Sequence, residues 1–196
     1  MVSTTDDQTA DVFVDTGKVL YLCSDSSSDS KEAVIYAFDK VLSSLSVMDR
    51  VMDSNCGAMV LANGQIVAVL IRNLGFSIRS YNGVGNAAML EVPTDAKISK
   101  VMLSSTNDTL YAGWSFNDSI HVAKFNVSSN QITALGSLEL VPQDGCVGFT
   151  LTVFSFDSKG FGYIGGISGN ISKHSFVDIF QWPGTESYCL SIAYVS

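Results

Sequence analysis

Apolar and polar residues alternate along this chain in short runs, and each run stops at a cluster of Asn, Asp, Gly or Ser. Runs of that kind, rich in β-branched and aromatic residues, predict β-strands joined by turns. The stretch "TLYAGWSFNDSIHVAKFNV", residues 109–127, is a clear case: two strands with a polar turn between them. One competitor for a helix exists, "KEAVIYAFDKVLSSLSVMDRVM", which places Val34, Phe38, Val41 and Leu45 at helical spacing. Its alternation from Ala33 to Phe38 favours strand, and the prediction is an all-β chain.

The strands also repeat. "VLYLCSD", "IVAVLIR", "TLYAGWS" and "FGYIGGI" align at Tyr21, Ala68, Tyr111 and Tyr163, with spacings of 47, 43 and 52 residues. An apolar strand ending in a polar turn precedes each, as in "VFVDTGK" and "VMLSSTND", and two further strands follow, as in "IHVAKFN" and "ITALGSLEL". Four strands per unit at that period is what a β-propeller blade requires, because a small twisted sheet hides its faces only by stacking on neighbours. A β-sandwich, the runner-up, gives no reason for a four-strand period. The expected fold is therefore a β-propeller of four four-stranded blades, or a four-blade segment of a larger propeller. The approximate divisions are a flexible tail, 1–10, and blades 11–51, 52–94, 95–142 and 143–196.

The sequence begins its first blade with an inner strand and ends its last with an outer one, which leaves no strand to staple first blade to last. A closed four-blade ring is then less favoured than a half-ring completed by a second copy or a piece of a longer protein. Open blade ends are expected to take a protein partner or another copy of the chain.

The third unit, "SKVMLSSTNDTLYAGWSFNDSIHVAKFNVSSNQITALGSLEL", resembles blades of the YVTN-type, lactonase-like β-propellers in its Ser-Ser turn, "LYAGW", "NDSIHVAKF" and "ITALGSLEL". The resemblance implies the propeller fold. That superfamily hosts enzymes and binding modules alike, so it implies no single activity. A lactonase-like, metal-dependent hydrolase using rim carboxylates is the enzymatic alternative it suggests, although no full catalytic set maps onto matching positions.

Composition narrows the partners. Eleven basic against 19 acidic residues give a net charge of −8, which repels a phosphate backbone, and no basic patch offsets it, so no nucleic-acid partner is expected. "MVSTTDDQTA" has neither the basic nor the apolar region of a signal peptide. Even the apolar "CGAMVLANGQIVAVLI" is interrupted at Asn63, Gly64 and Gln65, so no membrane-spanning helix is expected and the chain should be soluble.

In a propeller, the loops from second to third strand and those between blades share one rim, where ligands usually bind. Here that rim would hold "SDSSSDSKE", "RNLG", "SFNDS" and "GISGNISKHS", with the inter-blade "DRVMDSNCG", "PTDAK" and "VPQDGC". Its carboxylates, Asp25, Asp29, Asp53, Asp95 and Asp144, could bind a hard cation such as calcium, which takes oxygen ligands from loops. The commoner role of Asp and Ser in loops is to make turns, and no cofactor is expected. Trp114, Trp182, Tyr111, Tyr163 and Phe125 are expected to pack between blades.

The four cysteines, Cys23, Cys56, Cys146 and Cys189, have no CxxC pair and no partner histidines at zinc spacing. Buried thiols and one or two disulfides fit them equally, and Cys56 and Cys146, both placed in inter-blade loops, are one pair that could cross a small ring. The only histidines are His121 in a strand and His174 in a loop, and no GxSxG elbow accompanies them. The glycine-rich "GFGYIGGISGN" leads into a strand and not a helix, so it is no phosphate loop. Four sequons, at Asn107, Asn117, Asn126 and Asn170, fall at turns or strand ends and favour an extracellular or cell-surface glycoprotein. The reading that emerges is a non-catalytic binding or assembly module.

Overall fold

The computed structural model describes residues 12–26, 31–82, 85–94, 98, 100–116, 119–140, 149–168, 174–181 and 188–192, of which 149–150, 167–168, 174–181 and 188–192 by backbone alone. Among the described residues sixteen strands fall into four antiparallel four-stranded sheets, each in simple up-and-down order. Blade 1 comprises β1 (Val12–Asp15), β2 (Val19–Asp25), β3 (Glu32–Asp39) and β4 (Ser44–Met52). Blade 2 comprises β5 (Asn55–Ala62), β6 (Gln65–Ile71), β7 (Phe76–Tyr81) and β8 (Asn86–Val92). Blade 3 comprises β9 (Met102–Thr106), β10 (Thr109–Phe116), β11 (Ser119–Val127) and β12 (Ile132–Leu140). Blade 4 comprises β13 (Phe149–Phe156), β14 (Phe161–Ser168), β15 (His174–Gln181) and β16 (Tyr188–Ile192). The fold is the expected all-β set of four propeller blades, with no helix among the described residues.

Local chemistry explains the turns. Asn63 and Gly64, both at positive φ (48° and 70°), form the two-residue link from β5 to β6, the conformation that suits a tight hairpin between twisted strands. At the β3–β4 corner the Asp39 carboxylate accepts hydrogen bonds from the backbone N–H of Val41 (2.8 Å) and Leu42 (2.9 Å). That aspartate ends the strand and turns "KVLS" back on itself, so the helical spacing through Val41 is not used.

Two expectations are corrected here. The segment "DRVMDSNCG" is not an inter-blade loop: β4 runs on to Met52 and β5 starts at Asn55, leaving only Asp53 and Ser54 between blades. A bulge between Ile35 and Tyr36 keeps the longer β4 in register with β3. Cys56 is consequently a strand residue, and His174, expected in a loop, opens β15.

The chain divides into two compact units, Met1–Ser99 with Val127–Ile132, and Lys100–Asn126 with Thr133–Ser196. In the first, β5 packs against blade 1, and Cys23, Ala33, Ile35, Val51, Ile66, Ala68, Leu70 and Tyr81 form the core. In the second, β13 packs against β9 and β10 around Tyr111, Ile120, Val122, Leu151, Phe154, Phe156 and Ile164. Tyr111 stacks on Phe156 with ring centroids 3.7 Å apart. β6 is buried from Gln65 to Leu70, whereas most of β4 and β12 faces outward. Tyr163, expected in the packing, is 38% exposed on β14.

Candidate functional site

In the first unit, up-and-down topology brings three kinds of segment to one end of blades 1 and 2: the ends of β2 and β3, the β6–β7 loop, and the links that follow β4 and β8. They enclose a cleft of about 410 Å³ lined by Asp25, Lys31, Asp53, Asn55, Arg72 and Asn73, with Cys56, Ile71 and Ile98 as its apolar wall. This is the rim on which the sequence placed its polar loops.

Each polar side chain has a local reason for its position. Asp25 ends β2, and its carboxylate accepts the Cys56 backbone N–H at 2.6 Å and the Asn55 amide at 3.1 Å. It is thereby committed to tying blade 2 to blade 1, beside the disulfide that joins Cys23 of β2 to Cys56 of β5. Lys31 precedes β3, and its carbonyl accepts the Asp53 N–H at 2.7 Å, which fixes Asp53 in a left-handed turn (φ 55°). Arg72 closes the β6–β7 loop by donating its N–H to the Gly75 carbonyl at 3.0 Å, and its guanidinium meets Glu91 at 3.3 Å. Gly75 sits at φ 101°, where a Cβ would strike the Val92 carbonyl, so the tight loop requires glycine. The Arg72 Nε is buried and has no hydrogen-bond partner. The cleft therefore offers a hydrogen-bonding surface of both signs.

A second polar group, outside the cleft lining, links the same blades. Asp49 on β4 accepts from Arg79 (2.8 Å) and from the Tyr81 hydroxyl (2.9 Å), both on β7. Burial, with the Asp49 charge beside it, holds the Tyr81 hydroxyl well above the usual tyrosine pKa. Spacing along the sequence gave no sign of this group, since its partners lie 30 and 32 residues apart.

Of the five rim carboxylates, Asp25 and Asp53 share the cleft, while Asp29, Asp95 and Asp144 lie outside the described residues. Among the described residues no three His, Cys, Asp or Glu side chains gather as a metal site. Cys56 is bonded to Cys23, which replaces the pairing with Cys146, because the extended β5 brings Cys56 alongside β2. Cys146 lies outside the described residues, and Cys189 is placed by its backbone in β16.

The second unit carries its own polar cluster. The Ser119 hydroxyl donates to Glu139 Oε1 at 2.7 Å and lies 3.4 Å from His121 Nε2, while the His121 ring stacks on Trp114 with centroids 5.5 Å apart. Here the carboxylate addresses the serine and not the imidazole. A serine-histidine-acid relay needs the reverse, with the acid orienting the histidine. Among the sequons, Asn107 is exposed in the β9–β10 turn and Asn126 is half-buried in β11, while Asn117 and Asn170 lie outside the described residues.

No protein-family model and no curated protein matches the sequence. Solved structures do. The chain is similar to one from the mitotic checkpoint complex (TM-score 0.57, 12% identity, covering 95% of this chain and 57% of that one). It is similar to a functionally unknown protein from Desulfotomaculum acetoxidans (0.58, 16%, 96% and 56%) and to the periplasmic gluconolactonase of Pseudomonas aeruginosa (0.57, 9%, 92% and 55%). This chain spans little more than half the length of each. The likeness is one of fold, and that fold is the β-propeller. Among the described residues no helix is long and apolar enough to cross a membrane.

Proposed function

We propose that the chain is a non-catalytic β-propeller binding and assembly module, in which the rim cleft of blades 1 and 2 receives a polar segment of a protein partner, a second copy of the chain foremost. The observation that carries this is the state of Asp25. The rim carboxylate best placed for chemistry accepts two hydrogen bonds from blade 2, leaving Lys31, Asp53, Arg72 and Asn73 as a recognition surface of both charges. The Cys23–Cys56 bond supports an extracellular or cell-surface setting, because structural disulfides persist where the medium is oxidising.

Native mass as a function of concentration tests the assembly, with Lys31→Glu as the cleft probe. The module reading expects species above 21.0 kDa that Lys31→Glu dissociates. A mass that stays at the monomer value at every concentration removes self-association. Metal-dependent turnover of an ester or lactone, lost in Asp25→Asn or Asp53→Asn, replaces the module with the lactonase-like hydrolase.

A further inference from the structure

We propose that Asn107 is, of the sequons at described asparagines, the N-glycan acceptor. Its sequon, Asn107-Asp108-Thr109, is distinguished by its place in the fold. Asn107 and Asp108 are the whole turn between β9 and β10, both exposed, and Asn107 has φ 55°, a left-handed conformation that asparagine tolerates better than most residues. No described residue holds its carboxamide. A glycan there would project from a hairpin tip and displace nothing from the core.

The competing described sequon lacks these features. Asn126 lies within β11 between the buried Phe125 and Val127, directly across from Thr109. A branched sugar on that half-buried strand residue would crowd the hairpin. The Ser119 that completes the Asn117 sequon is 5% exposed and bonded to Glu139.

An independent observation points to the same compartment. The disulfide between Cys23 and Cys56 forms where the medium is oxidising, and N-glycosylation takes place on the secretory route to that medium. The inference rests on the extracellular setting of the proposed function. The step balances with a lipid-pyrophosphate-linked oligosaccharide as donor. The Asn107 Nδ2 attacks the anomeric carbon, the C–N bond forms, the C–O bond to pyrophosphate breaks, the lipid pyrophosphate leaves with the electron pair, and the amide gives up one proton.

The test is peptide mapping of the protein from its native cells after enzymatic deglycosylation in heavy-oxygen water, which marks each formerly glycosylated asparagine as labelled aspartate. A label at residue 107 is expected. When the chain passes through a eukaryotic secretory pathway, Thr109→Ala should abolish that label and Thr109→Ser should retain it, since only the second keeps the sequon. Unlabelled Asn107 with Cys23–Cys56 oxidised overturns the glycan site and leaves the setting intact. Unlabelled Asn107 with both cysteines reduced overturns site and setting together. A label on Asn126 alone also overturns the assignment.

Discussion

Blades 1 and 2 are joined by a disulfide and a half-buried carboxylate group, blades 3 and 4 chiefly by packed aromatic rings with hydrogen bonds beside them. The first unit's core is mostly aliphatic, with Ala33 and Ala68 among its members, and the sheets that meet there are tied by Cys23–Cys56 and by Asp49 with Arg79 and Tyr81. The second unit brings together Tyr111, Phe154 and Phe156, with the Phe156 N–H donating to Ser104 Oγ at 2.8 Å and Lys100 Nζ donating to the Leu151 carbonyl at 3.3 Å beside them. Aromatic side chains bury two to three times the area of an alanine and interlock by stacking. Small aliphatic ones bring sheets together with less area buried, and the covalent and ionic ties of the first unit compensate for that.

The largest effect should come from the covalent tie. Replacing both cysteines, Cys23→Ala with Cys56→Ala, releases a 33-residue separation in the unfolded chain and should cost the first unit about 3–4 kcal/mol by loop-closure entropy. Amide hydrogen exchange in β2 and β5 would accelerate by some two orders of magnitude. Unchanged exchange in those strands would mean that the aliphatic core holds blades 1 and 2 without help.

The ionic tie comes next. Arg79→Leu leaves Asp49 half-buried with only the Tyr81 hydroxyl and the Arg50 backbone N–H donating to it, and about 2 kcal/mol should be lost, less than for a fully buried pair because the two side chains retain 13% and 20% exposure. Adding Asp49→Leu should restore most of the loss, read from the chemical denaturation midpoints of the two variants. An additive double variant would show the ion pair to be incidental.

In the second unit the corresponding probe is steric. A Cβ on Gly113 of β10 would run into the Phe154 ring, so Gly113→Ala should cost about 1–3 kcal/mol as overpacking. Phe154→Leu, added to it, should recover part of that stability by withdrawing the ring edge. A lowered melting temperature for the single variant and a partial return for the double one would show that ring shape sets the spacing here.

These ties differ in how far the sequence exposed them. Strand identity was legible because alternation and turn residues act locally: "MVLANGQIVAVL" folds as the hairpin its Asn-Gly suggests. The four-blade repeat was legible because each blade needs the same burial pattern. Blade edges were less so, since Asp53 and Ser54 form a shorter link than any turn-rich loop would suggest, and β4 absorbs the difference through a bulge. The rim was visible as a set of loops, but its chemistry was not. Asp25 looked like a free carboxylate, and only the approach of β5 to β2, set by packing at long range, shows it bonded to Cys56 and Asn55. The partnership of Asp49, Arg79 and Tyr81 was hidden for the same reason: three polar residues on different strands carry no local pattern.

The smallest effect concerns the Tyr81 hydroxyl, and it separates the hydrogen bond from the ion pair. Tyr81→Phe keeps the ring in the core and leaves Asp49 paired with Arg79, so the loss at neutral pH should be only about 1 kcal/mol. Its signature is alkaline. Because burial raises the folded hydroxyl above the ordinary tyrosine value of about 10, folding favours the neutral phenol; that contribution is complete below about pH 10 and is lost as the pH climbs further. The parent chain should therefore weaken more steeply than the variant above that pH, when denaturation midpoints are compared from pH 8 upward at a fixed salt concentration. Parallel curves would show that Tyr81 titrates alike in the folded and unfolded chain, and the first unit would then depend on its disulfide and on the Asp49–Arg79 pair alone.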